Sequence, residues 1–130
     1  MTIPLICGPT AAGKTAAACA VFGGKDVLAV SMDSMQVYTG MDIGTAKPDR
    51  DERSRLEHVM IDCADPRDVW SVGAHLRLAE EWISKALDAG LKIVLVGGTG
   101  LYIKGLLNGL FEGPARDAVL RAELEEREKH

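Results

Sequence analysis

Apolar residues fall along this chain in short runs, separated by glycine, proline and charge, and the runs alternate in kind. Residues 3–7 (Ile-Pro-Leu-Ile-Cys), 26–31 (Asp-Val-Leu-Ala-Val-Ser), 58–63 (His-Val-Met-Ile-Asp-Cys) and 92–96 (Lys-Ile-Val-Leu-Val) read as strands. The second is apolar on both faces, as a strand inside a parallel sheet is. Residues 14–22 are alanine-rich and helical, and Gly23-Gly24 stops them as a left-handed cap would. From Ser71, a capping residue, the rows Leu78/Trp82/Ala86 and Ala79/Ile83/Leu87 repeat every fourth position and give one helix an apolar face. Gly90 ends that helix, a short one follows over residues 101–108, and Gly109, Gly113 and Pro114 break the chain. Asp117 can cap a last, highly charged helix to His130, whose apolar periodicity at Val119, Leu120 and Leu124 is weak. Residues 39–57 are polar, with Gly40, Gly44 and Pro48, and read as a long loop with one helical turn. Loops of that length in compact domains are usually functional or disordered.

Strand, helix, strand, loop, strand, helix, strand, helix predicts an α/β fold: a parallel sheet with flanking helices and right-handed crossovers. In such sheets ligands gather beyond the carboxyl ends of the strands. Asp33, Asp62 and Thr99 all fall at or just past predicted strand ends, on the edge that also carries Lys14.

Composition adds bounds. A chain of 130 residues, 47% hydrophobic and 26% charged, suits one globular core and is not disordered. The apolar start is too short for a signal peptide, and no run is long enough to span a membrane. Cys7, Cys19 and Cys63 lack metal-ligand spacing. Cys7 and Cys19 sit in apolar segments, so buried, reduced thiols in a cytoplasmic protein are expected. A net charge of -4 does not favour a polyanionic partner.

The strongest chemical signal is Gly8-Pro9-Thr10-Ala11-Ala12-Gly13-Lys14-Thr15, a G-x-x-x-x-G-K-T run between the first strand and the first helix. The glycines let backbone N–H groups converge on an anion, and the helix N-terminus adds unpaired donors and the positive end of its dipole. Lys14 supplies a mobile charge and Thr15 a hydroxyl suited to Mg²⁺. With strand and helix both in place, a ligandless glycine turn is the weaker reading. The fold class is therefore P-loop NTPase-like, and the ligand carries at least two linked phosphates.

Further motifs narrow the chemistry. Asp33-Ser34-Met35-Gln36-Val37-Tyr38, then Gly40 to Pro48, Ile61-Asp62 before Asp65-Pro66, and Val96-Gly97-Gly98-Thr99-Gly100-Leu101-Tyr102 resemble the signature of the tRNA dimethylallyltransferases. Apart from the phosphate loop each motif is weak alone; together, in order over the whole chain, they are strong. The resemblance implies transfer of a dimethylallyl group from dimethylallyl diphosphate to the exocyclic amine of an adenosine beside the anticodon. Gly8 to Thr15 would hold the diphosphate with Mg²⁺, and Asp33 would accept the amine proton. Thr99 would bind at the reacting centre, and Arg121 matches an arginine that contacts the substrates. Asp33, Ser34, Met35 and Gln36 would meet the tRNA anticodon stem-loop, whose target base must be flipped out. The resemblance also implies a core portion over residues 1–115. Residues 116–130 would begin a helical, tRNA-binding insertion that is truncated here, and the basic RNA surface would lie mostly beyond.

Two departures stand out: Ala12 where serine is frequent, and Glu57-His58 where a His-His pair is common. Other readings remain open on the residues alone. They are an adenylate isopentenyltransferase acting on free nucleotides, a small-molecule kinase, and a diphosphate-binding module without turnover. Asp33 could instead merely cap a turn, the weaker reading given its place on the strand edge, and Asp62 reads as a structural turn residue. His58 and His75 suggest surface or packing roles. Trp70 and Trp82 suit core or half-core sites, and residues 50–55 a solvated face.

Overall fold

The computed structural model describes residues 3–9, 13–42 and 44–108. Among them four strands, β1 (Leu5–Cys7), β2 (Val27–Ser31), β3 (Glu57–Val59) and β4 (Lys92–Gly97), pair in parallel in the order β1-β4-β2-β3. The central pair is in register from Val27 opposite Lys92 to Ser31 opposite Val96. Helices α1 (Lys14–Phe22), α2 (Arg50–Arg55), α3 (Val72–Asp88) and α4 (Gly100–Asn108) complete the described structure. No helix among the described residues is long and apolar enough to cross a membrane.

Strand alternation sorts the core into two layers. Leu28, Val30, Met32, Ile93 and Leu95 face Leu76, Ala79 and Ala86 of α3 and Tyr102 of α4. Val27, Ala29, Val94 and Val96 face Ala18 and Cys19 of α1, together with Leu56. All five residues of β2 are buried, which is why that run shows no polar face. This is the P-loop NTPase-like α/β fold that the element order predicts.

Several details depart from the pattern. β3 stops at Val59 although apolar residues continue, because Met60 (φ 69°) and Asp62 (φ 55°) turn into the left-handed region. The face that α3 buries is His75, Leu76, Ala79 and Ala86, while Leu87 is 37% exposed. Small alanines at 79 and 86 let the helix sit close to the sheet, and Leu78, Trp82 and Ile83 pack along its side. Cys7, expected in the core, is exposed on the strand at the open edge; Cys19 is buried and Cys63 exposed. The polar stretch after Tyr38 contains α2, capped by Asp49 through the Glu52 amide. The expected boundary at residue 115 and the final helix lie outside the described residues.

Candidate active site at the carboxyl edge of the sheet

Three strands deliver their chemistry to one edge, and two glycines allow it. A Cβ on Gly97 would stand 2.4 Å from the Met32 carbonyl oxygen, and one on Gly98 would stand 2.5 Å from that of Gly8. Only glycine lets the ends of β1, β2 and β4 close together here. Thr99 then spans the gap: its Oγ1 accepts from the Ser34 amide at 3.0 Å, and its own amide donates to Met32 O at 3.3 Å.

At the first strand the chain passes through Gly8 and Pro9 and re-enters at Gly13, whose left-handed backbone (φ 82°, ψ 23°) starts α1. Ser71 caps α3 and Asp49 caps α2 with side-chain oxygens, but the residue before α1 has no side chain to offer. The first turn of α1 also carries no acid, so its amides and dipole are left for an anion. Lys14 Nζ donates to Gly8 O and Pro9 O, each at 2.8 Å, which holds the ammonium over the mouth of the loop. Thr10, Ala11 and Ala12 lie outside the described residues, as does Arg121.

Asp33 caps the turn after β2: its Oδ1 accepts from Met35 N at 2.8 Å and Gln36 N at 3.1 Å. The turn-cap reading is thus correct for one oxygen, and Oδ2 makes no hydrogen bond to a described residue. A cleft of ≈ 290 Å³ is lined by Gly13, Lys14, Thr15 and Ala16 together with Asp33, Gln36, Thr45, Ala46, Lys47 and Glu52. Phosphate-loop residues and Asp33 therefore share one space. Met35 is 44% exposed beside it, whereas Gln36 is 8% exposed with its amide turned inward.

Asp62 does not line that cleft. It belongs to an ion network with Lys47 Nζ at 2.6 Å and Arg53 at 3.0 Å, and Lys47 also reaches Asp42 at 2.7 Å and donates to Tyr38 O at 2.6 Å. Burial opposes the Lys47 charge, but its hydrogen bonds to the Asp42 and Asp62 carboxylates outweigh it and raise its pKa. Burial likewise opposes the Asp62 charge, and Lys47 and Arg53 overcome it, holding the carboxyl below its ordinary range. Sequence reasoning missed Lys47 because a lysine in a polar loop carries no sign that it will be buried. Glu52 was also missed: it lies in the run read as a solvated face, yet it lines the cleft, and burial ahead of Asp49 raises its pKa.

Behind the edge, His75 is fully buried, with Nδ1 accepting from Trp70 Nε1 and Nε2 facing Ser31 O, both at 3.0 Å. It packs as expected, and burial lowers its pKa despite the Ser31 bond and the Asp33 charge.

The family described as IPP transferase matches residues 36–130. The chain belongs to the IPP transferase family. It is 47% identical over 120 residues to "tRNA dimethylallyltransferase 2" of Syntrophus aciditrophicus, covering 90% of this chain and 38% of that protein. The tRNA dimethylallyltransferase of Burkholderia ambifaria is 47% identical over 124 residues, 95% of this chain and 38% of its own length. Among solved structures, the full-length tRNA isopentenylpyrophosphate transferase of Bacillus halodurans superposes with a TM-score of 0.80 at 40% identity. That match covers 96% of this chain and 42% of the other. This IPP transferase chain thus spans about two fifths of the length of the relatives it matches.

Proposed function

We propose that the cleft binds the diphosphate of dimethylallyl diphosphate and presents its allyl carbon to the exocyclic amine of an adenosine in a tRNA anticodon stem-loop. The observation that carries this reading is the sharing of one cleft by Lys14 and Thr15 with Asp33, next to Thr99. The names of the similar proteins favour tRNA over free nucleotides as the acceptor.

The chemistry follows from the chain's own groups. The amine lone pair forms the new C–N bond while the allyl C–O bond breaks, its electron pair leaving on the diphosphate. Lys14, the Gly8–Lys14 loop and the open amides of α1 stabilise the developing anion. Oδ1 of Asp33 is fixed by two amides, so Oδ2 is aimed and free to take the amine proton. The Thr99 hydroxyl accepts from Ser34 and keeps its own proton to donate toward the diphosphate. A Mg²⁺ ion suits the hard-oxygen donors present: Thr15 would hold it together with the diphosphate oxygens, where it supplies further charge neutralisation. Ser34 and Met35 present the exposed side of the turn to the flipped nucleotide. Arg121 completes the proposed contacts. Exposed free thiols at Cys7 and Cys63 suit a cytoplasmic setting.

Calorimetry with dimethylallyl diphosphate and Mg²⁺ tests the donor site: the chain binds, and Lys14→Ala abolishes the heat with the fold intact. In a chain extended to the relatives' length, Asp33→Asn should keep donor binding. It should lower single-turnover transfer by ~10²–10⁴-fold, the usual worth of a placed base. Transfer near the wild-type rate would mean that Asp33 only caps its turn.

A further inference from the structure

We propose that Gln36 is a positioning residue: its carboxamide pins the cleft wall formed by Thr45 and Ala46 to the end of β2, in place of touching the nucleotide. Its Oε1 accepts from Ser31 Oγ at 3.1 Å, and its Nε2 donates to both Thr45 O and Ala46 O at 3.1 Å. Both amide protons are spent. The reverse orientation would press the oxygen against two carbonyls, so the hydrogen-bond pattern fixes which atom is which.

The same residue is tied at its backbone. Its amide donates to Asp33 Oδ1 at 3.1 Å, and its carbonyl accepts from Asp62 N at 3.1 Å. Gln36 therefore joins the end of β2, the Asp33 turn, the exit of β3 and the segment around Thr45.

That segment needs an external hold. It is neither helix nor strand, and Ala46 sits at φ 54° beside Gly44 at φ 80°. A non-glycine residue in the left-handed region persists only where its surroundings impose it. The Thr45 hydroxyl bond to Met41 O, at 2.7 Å, ties the segment only to itself. Among the described residues, the hydrogen-bonded link from Thr45 and Ala46 to the rest of the fold is the Gln36 amide, with Lys47 following one residue later. Thr45 and Ala46 line the same cleft as Lys14 and Thr15, so a shift of that segment changes the space beside the phosphate loop.

The consequence for donor binding rests on the function proposed above; the effect on the wall does not. The test uses the labelled chain with Gln36→Met and Gln36→Glu. The latter keeps shape and acceptor but lacks the two donors. Both variants should drop the backbone order parameters of Thr45 and Ala46 from about 0.85 to below 0.6, with β2 and β4 unchanged. Affinity for dimethylallyl diphosphate with Mg²⁺ should fall about tenfold, the scale of one or two neutral hydrogen bonds. In a chain extended to the relatives' length, affinity for an anticodon stem-loop should not change. Wild-type order at Thr45 and Ala46 in either variant overturns the proposal. So does a loss of stem-loop affinity with order and donor binding intact. If the wild-type chain binds no donor, the dimethylallyl reading fails and the order parameters still decide the role of Gln36. Should both variants unfold, Ser31→Ala frees the amide to rotate and must lower the same order parameters; no change there overturns the proposal too.

Discussion

The His75 imidazole is the perturbation that best tests how the site edge is supported from behind. It is fully buried, stacked on Tyr102 at 4.3 Å, and bonded at both nitrogens. Because Trp70 Nε1 donates to Nδ1, the ring is neutral and carries its proton on Nε2, donated to Ser31 O. Adding a proton puts a second N–H against the indole N–H. Burial already disfavours the charge, so the folded pKa lies below 6.5. The unfolded chain therefore takes up the proton first. The contribution is complete above about pH 6.5 and is lost as the pH falls below it, by at most ~1.4 kcal/mol per pH unit. His58, lowered by burial as well, acts in the same direction. Wild type should then lose at most about 2 kcal/mol between pH 6.5 and 5.5, the unfolded imidazoles being only half protonated at the upper end. His75→Phe keeps a planar aromatic ring, somewhat larger than imidazole, but leaves the Ser31 carbonyl and Trp70 N–H without their present partner. That should cost about 2–4 kcal/mol at pH 7.5 and reduce the acid slope to the His58 share. Urea unfolding at pH 7.5, 6.5 and 5.5, followed by tryptophan fluorescence, measures both. Equal slopes in wild type and variant would refute the assignment.

Contacts elsewhere in the fold carry the other expected outcomes. Gly98→Ala should weaken donor binding and destabilise the fold by ~1–3 kcal/mol, since the added Cβ meets the Gly8 carbonyl at 2.5 Å and Lys14 Nζ at 3.5 Å. Gly100→Ala, with nothing within 4 Å, should be neutral or slightly stabilising, and equal thermal melts for the two would contradict this. Lys47→Met should destabilise by ~2–3 kcal/mol: its bond to Asp42, 69% exposed, adds little, whereas Asp62 is 31% exposed and the lysine head is buried. A double-mutant cycle with Asp62→Asn should return a coupling of about 1–3 kcal/mol, and zero coupling would show that the pair is incidental.

The elements that could be read from sequence were those whose signal is local. The Gly8–Thr15 run, the apolar strands and the Ser71 cap each declare themselves within a few residues. The end of β3 did not, because Val-Met-Ile-Asp reads as strand, and only the left-handed turns at Met60 and Asp62 stop it. The apolar rows of α3 identified the helix and its core face, with Ala79 and Ala86 buried, Leu78, Trp82 and Ile83 packed against the core and Leu87 left exposed, but not how closely it sits. Periodicity weighs side-chain size, whereas close approach to the sheet is set by the small Ala79 and Ala86. Gln36 and Lys47 were invisible as structural pins for a related reason. Their partners are backbone carbonyls and loop carboxylates, which only the fold brings within reach.

Charge shows the same limit from another side. The overall balance of -4 speaks against a polyanionic partner, yet the function proposed above puts an anion in the phosphate-loop cleft. The resolution lies in where each charge is used. Lys47 and Arg53 are committed to Asp42 and Asp62, and Arg55 pairs with Asp51 along α2. Those groups contribute little net field to a ligand. At the mouth of the cleft stand Lys14, bonded to carbonyls and not to a carboxylate, and a helix start without acids. Two linked phosphates need only that local arrangement. A folded RNA needs many separate backbone contacts, and the paired cations of α2 and its loop do not supply them. On the function proposed above, the charge arrangement of the described residues therefore suits a diphosphate better than an extended nucleic acid.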